Sequence, residues 1–300
     1  MKERALLVAL LVAASASGCD FDFIKGLRRE TAAPAGGVDD AKAALQKGIE
    51  YYESGQIEPA RQWFETLVLN NPSSADGFYY LGLCYLASSG SSSPTTPLSP
   101  EEQQSLDAFH RALALNPRHG LAALSIGDLY SRRLPPSTRK MPKDPPEAYT
   151  LALDAYQKAI AIDPKLPEAQ YRYARFNERV GNLVDAENGY RAAALAAATV
   201  PEIAPDYYTY YARFLATQPN RASDAIEQYG LAQMFRQDDK ALQREVAVLY
   251  ARVGQSYFDG KQYLLAEDAL KKAYGMFPDK NDPEAQKAEA TLQELRAIRR

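Results

Sequence analysis

Between residues 40 and 280 apolar residues recur at helical spacing, and the whole pattern then recurs along the chain. In the stretch from Ala41 to Ser74, Gly48 is followed by Tyr51, Ala60, Phe64, Leu67 and Pro72. Near the other end Gly254 is followed by Tyr257, Ala266, Leu270, Ala273 and Pro278. Both stretches run 24 residues from glycine to proline. Two further copies keep the register but lengthen the middle. Gly82 and Tyr85 lead to Ser105, Phe109, Ala112 and Pro117, while Gly127 and Tyr130 lead to Ala152, Tyr156, Ala159 and Pro164. Their glycine-to-proline spans of 35 and 37 imply insertions of 11 and 13 residues. Two weaker copies, Ala174 with Ala186, Tyr190 and Ala193, and Ala212 with Ala225, Tyr229 and Ala232, lack the closing proline. A last amphipathic helix is expected from about Pro283 to Arg300, with Ala288, Leu292 and Leu295 on one face.

This pattern resembles the tetratricopeptide repeat, a 34-residue helix–turn–helix unit with a small residue where its helices touch, aromatic fillers, and a proline ending the second helix. The resemblance implies an all-α protein: a superhelical α-solenoid of about six helix pairs over residues 39–300 with a C-terminal capping helix. One such pair cannot bury its apolar face alone, so neighbours must stack. Gly48, Gly82, Gly127, Ala174, Ala212 and Gly254 are therefore expected at close helix–helix contacts, where a larger side chain would overpack.

The resemblance also implies that the first helix of each pair lines a concave groove that takes a protein or peptide segment. Residues one step past the small contact residue share that stripe. It reads Leu45, Ile49, Tyr52, Tyr79, Leu83 and Leu86, then Asp128, Arg132, Tyr171, Arg175, Glu178, Arg179, Arg213, Gln255 and Phe258. An apolar, aromatic part thus precedes a charged part. The candidate partner-binding residues are Tyr52, Tyr79, Arg175, Arg179, Arg213 and Phe258, with intrahelical pairing of the arginines to Glu168, Glu178 or Asp206 as the competing expectation. Leu45 and Ile49 stand where the chaperone-tail clamp of some cytosolic relatives needs polar residues. The insertions, about 87–100 and 131–146, fall at matching places and are expected side by side on one edge. The first is rich in serine and proline. The second carries Arg132, Arg133, Arg139, Lys140 and Lys143 against Asp144, a set suited to an acidic partner or anionic headgroups.

The first 18 residues have a basic start, an apolar run from Ala5 to Ala14 and a small-residue ending, the pattern of a secretory signal peptide. That run is too short to cross a bilayer, which takes about 20 residues. Ala16-Ser17-Gly18-Cys19 resembles a bacterial lipobox, with Ala16 where leucine is usual, and implies lipidation of Cys19. Residues 19–38 then form a flexible tether. Asp20 resembles an inner-membrane retention signal of enteric bacteria, so the resemblances imply a periplasm-facing protein held to one of the two membranes by its lipid.

Composition narrows the chemistry. With 35 basic and 38 acidic residues the net charge is −3, and removal of the leader makes it −4, which argues against nucleic acid as a partner. Two histidines and two separated cysteines form no metal-ligand pattern, and no GxxxxGK loop is present, so no cofactor, metal or catalytic residue is expected. Cys84, among leucines and a tyrosine, reads as a buried structural thiol. The expectation is a membrane-anchored scaffold for an envelope assembly, resembling the type IV pilus pilotins, six-repeat lipoproteins that assist assembly of the secretin pore. The competing class is an envelope enzyme or a regulator of peptidoglycan synthesis, but the paired acids Glu101-Glu102 and Asp238-Asp239 point apart on a helix.

Overall fold

A computed structural model describes residues 38–90, 97–134 and 145–298. Among these residues lie thirteen helices and no strand. The chain divides into two compact units, Met1–Arg133 and Leu134–Arg300, and the division falls between the two helices of the third expected pair.

In the first unit α1 (Val38–Glu53) pairs with α2 (Ile57–Asn70), α3 (Ala75–Ser88) pairs with α4 (Pro100–Leu115), and α5 (Gly120–Arg132) packs on α4. Local chemistry sets the boundaries. Gly55, with φ 77°, turns the chain between α1 and α2, a conformation that glycine adopts freely. Ser74 caps α3 by accepting the Gly77 N–H at 3.1 Å. Ser99 and Glu102 form a capping box on α4, with Pro100 in its first turn. The close contacts expected at Gly48 and Gly82 are present. A β-carbon on Gly82 would lie 2.6 Å from the Phe109 ring, and Gly48 meets Phe64 in the same way. Ser105 stands where other second helices carry alanine; its hydroxyl donates to the Gly82 carbonyl at 2.8 Å, so the buried polar group is satisfied. Cys84 is fully buried, and burial pushes its thiol up to about 12.

In the second unit α6 (Glu147–Ile162) packs on α7 (Pro167–Arg179). Three pairs are complete here: α7 with α8 (Leu183–Ala197), α9 (Ala204–Thr217) with α10 (Ala222–Phe235), and α11 (Lys240–Asp259) with α12 (Tyr263–Met276). The last helix, α13 (Pro283–Ile298), buries Ala285, Ala288, Leu292 and Leu295 in a core shared with α11 and α12, as a cap should. Alanine and tyrosine dominate the rest of the core, including Ala174, Ala186, Ala212, Ala225, Tyr190, Tyr211 and Tyr229. The small residue of α7 is alanine, not glycine. Its methyl fits because Gly189 faces it from α8, where a β-carbon would lie 2.9 Å from that of Ala174. The turns inside the three pairs hold left-handed residues, Gly181 (φ 83°), Asn220 (φ 59°) and Lys261 (φ 58°). The first two residue types tolerate this; a lysine there is strained. No helix among the described residues is long and apolar enough to cross a membrane.

Candidate partner-binding surfaces

Cys19 lies outside the described residues, as do 91–96 and 135–144 of the two insertions. The ends of the insertions do lie within them. Leu86, just before the first insertion, accepts a hydrogen bond from Arg132 Nη1 at 3.1 Å. Glu102, just after it, pairs with Arg133 Nη1 at 3.0 Å. Arg132 and Arg133 open the second insertion, so the described residues flanking the two insertions meet in the first unit. The Glu102–Arg133 pair is itself buried, at 2% and 6% exposure. Arg133 therefore faces inward to a carboxylate of its own chain instead of outward to an acidic partner. Leu86 likewise belongs to the core, 4% exposed, and not to the groove stripe.

Tyr52 on α1 and Tyr79 on α3 are half-buried and enter one aromatic cluster. Tyr80 meets Tyr52 edge-on at 6.2 Å and Tyr79 at 5.0 Å, and it stacks on Phe64 at 5.3 Å. Tyr79 also lies 4.8 Å from the His119 ring. That imidazole is oriented from both sides: Nδ1 accepts the Ala122 N–H at 3.1 Å, and Nε2 lies 3.2 Å from Asp76 Oδ1. Aromatic packing thus positions both tyrosines while leaving part of each ring at the surface.

The three candidate arginines of the second unit have different surroundings. Arg213 on α9 makes two hydrogen bonds to Glu245 on α11, at 2.9 and 2.5 Å. Those bonds hold the Glu245 carboxyl below the usual carboxylate range. Arg179 donates to the Leu134 carbonyl. Arg175 is exposed and lies over the Tyr171 ring, 5.7 Å from its centroid. Phe258 on α11 is half-buried, 6.0 Å from Tyr263. The acids named as intrahelical partners have other roles. Glu168 does take Arg172 of its own helix, at 2.5 Å, but also accepts from Tyr207 at 2.9 Å. Glu178 accepts from Tyr190 at 2.5 Å, and Asp206 accepts from Nη1 and Nη2 of Arg236 at 2.7 and 3.0 Å.

Two features escape a reading by repeat template. One is Glu245. Helix α11 has 20 residues where the other first helices have 13 to 16, and Arg244 and Glu245 ride on its N-terminal extension. The extra length was the available signal. The other is a tyrosine cluster on the first helices. Tyr171 stacks on Tyr210 of α9 at 4.4 Å, with Tyr207 edge-on to both at 5.9 Å. Among the described residues no group of three His, Cys, Asp or Glu side chains is placed to hold a metal ion.

Serial helix pairs with a closing helix make an all-α solenoid, and solved tetratricopeptide-repeat structures share this fold. No family model matches the chain, and no curated protein matches it by sequence. The C-terminal part of a TPR repeat-containing protein from Cytophaga hutchinsonii is similar with TM-score 0.57 at 13% identity, over 89% of this chain and 91% of that one. Pseudomonas aeruginosa PilF is similar with TM-score 0.53 at 16% identity, over 84% and 98%. TTC0263, a thermophilic TPR protein of Thermus thermophilus, follows with TM-score 0.51 at 17% identity, over 70% and 98%. At these identities the likeness is one of fold.

Proposed function

We propose that the protein is a lipid-anchored scaffold of the bacterial cell envelope, facing the periplasm, that holds a segment of a partner protein along its first helices and assists assembly of a type IV pilus secretin. The observation that carries this reading is the fold: serial pairs whose first helices display partly exposed tyrosines and arginines, combined with a leader that ends in the lipobox-like Cys19. Likeness to PilF over nearly its whole length supports the reading at the level of architecture. The candidate partner contacts are Tyr52 and Tyr79 in the first unit and Arg175, Arg179, Arg213 and Phe258 in the second, and the protein has no catalytic role. Of the three arginines, Arg175 is the one not committed to a carboxylate or carbonyl of its own chain among the described residues.

The anchor and the assembly role are tested together. Cys19→Ser removes the lipid attachment point, and several acyl chains hold far more firmly than the marginal single chain. The variant is expected in the soluble fraction after high-salt washing, with fewer heat-stable secretin oligomers in the source bacterium. Retention in the membrane fraction would refute the lipid anchor. Normal oligomers in a strain lacking the protein altogether would refute the assembly role.

A further inference from the structure

On the first-helix face of the second unit, carboxylates and arginines are unequally satisfied. Glu168, Glu178, Asp206 and Glu245 all accept from donors of their own chain, Arg172 with Tyr207, Tyr190, Arg236, and Arg213 with Tyr229 respectively. Asp259 accepts from the Gln255 amide at 2.8 Å. Arg175 and Arg252 have no carboxylate partner among the described residues. Arg175 sits over the Tyr171 ring, 5.7 Å from its centroid. Arg252 on α11 is exposed, two residues before Gly254, and occupies the register that Tyr210 occupies before Ala212 on α9.

A cation–π contact uses none of the guanidinium N–H groups as hydrogen-bond donors, so an arginine lying over a ring keeps its fork for a bidentate grip on a carboxylate. In helix order and register the stacked Tyr171–Tyr210 pair, half-buried in both residues, falls between the two arginines and offers an apolar surface with polar tips. We infer that this face binds an extended acidic segment of a partner protein, with two carboxylates taken by Arg175 and Arg252 and an apolar or aromatic side chain between them on Tyr171 and Tyr210. The inference rests on the scaffold reading above and names the chemistry of the partner.

Geometry sets the spacing. Ring contacts join α7 to α9, and the Arg213–Glu245 pair joins α9 to α11. Packed helices lie about 10 Å apart, so Arg175 and Arg252 are separated by roughly 20 Å. An extended chain rises about 3.3 Å per residue, which places the two carboxylates about six residues apart.

The test is fluorescence anisotropy on the full chain without its leader, using a labelled nonapeptide with two glutamates six positions apart, a central phenylalanine and otherwise glycine and serine. The glutamate peptide should bind at least tenfold more tightly than its glutamine counterpart, and more tightly than a peptide with glutamates two positions apart. Arg175→Ala and Arg252→Ala should each weaken it about tenfold and flatten its salt dependence. Tyr210→Ala should weaken it severalfold with the salt dependence kept. Arg111→Ala, in the first unit, should have no effect; circular dichroism checks that all variants stay helical. Equal binding of the glutamate and glutamine peptides, or unchanged binding in Arg175→Ala/Arg252→Ala, would overturn the inference. So would tighter binding of a single-stranded oligonucleotide or of phosphatidylglycerol vesicles, which would assign the face to another polyanion. Tighter binding of a peptide spanning residues 20–28 of this chain would overturn it too, making the occupant internal. The secretin-assembly assay is independent of these outcomes, so failure of the peptide site and failure of the scaffold reading remain distinct.

Discussion

The two units build the same helix pair with different materials. The first relies on glycine against a large ring, at Gly48–Phe64 and Gly82–Phe109, and on one desolvated ion pair, Glu102–Arg133. The second replaces ring-on-glycine with alanine and tyrosine. It ties successive pairs together with partly exposed arginine–carboxylate links, Arg221–Glu187 from α10 to α8 and Arg213–Glu245 from α9 to α11. Buried tyrosines complete these links by donating to the same acids: Tyr211 to Glu187 and Tyr229 to Glu245. A repeat template therefore constrains volume at a few positions and leaves open how the polar groups between repeats are satisfied. The consequence is an uneven response to mutation. A few positions in the first unit should carry large effects, while the second spreads its polar stabilisation over many small ones.

The largest expected effect comes from Glu102→Ala, which leaves Arg133 buried without its carboxylate and removes half of the α4 capping box. Breaking a buried pair costs about 3–5 kcal/mol. Trp63, the single tryptophan, lies on α2 and reports on the first unit. Its fluorescence transition in urea should shift to a much lower midpoint, and an unshifted transition would show that the pair is dispensable. Next comes Gly82→Leu, expected to cost about 3 kcal/mol through overpacking against Phe109, whereas Gly90→Leu, with nothing within 4 Å of its β-position, should cost almost nothing. Equal midpoints for these two variants would contradict the helix contact. In the second unit, Tyr190→Phe removes the donor to Glu178 and should cost about 1 kcal/mol, seen as faster hydrogen exchange in α8.

Acid should separate the units by sign. Hydrogen bonds from Arg213 and Arg221 lower the Glu245 and Glu187 carboxyls, so their contribution is present above the unfolded value and lost as pH falls through the lowered folded one. Burial, the largest influence on Glu65 in the first unit, raises that carboxyl. Its contribution is then fully present below the unfolded value and lost as pH rises through the folded one. Lowering the pH from 6 to below 4 should thus weaken α9–α11 protection in hydrogen exchange, an effect abolished by Arg213→Ala. Over the same range Glu65→Gln should lessen any strengthening read by Trp63. Parallel behaviour of both units, unchanged in these variants, would refute the contrast. The exposed pairs are screened by solvent, so each should be worth less than about 1 kcal/mol. The smallest effect is a gain: Lys261→Gly relieves a left-handed backbone (φ 58°) and should stabilise the α11–α12 turn by a few tenths of a kcal/mol, visible as a slightly raised melting temperature.

Much of the architecture was legible because it follows from local chemistry. Gly82 and Phe109 stand in register, Ser99 with Glu102 spells a capping box, and Leu292 and Leu295 share a face of the closing helix. These patterns depend on positions a few residues apart or on one repeat length, and they predicted the helix pairs and the cap. The surface was less legible. Arg175 and Arg213 hold equivalent register positions, yet Arg213 is held by Glu245 while Arg175 lies over a tyrosine ring. Arg133 looks like any member of a basic loop and is buried.

Periodicity in the sequence determined which side chains face the neighbouring helix, since burial of an apolar stripe follows from 3.6 residues per turn whatever the partner. Only the tertiary structure decided which charges remain for a partner. A guanidinium reaches several ångströms in any direction from its helix, and the carboxylates that meet Arg213, Arg221 and Arg133 come from positions 32, 34 and 31 residues away, on helices whose approach no local pattern encodes.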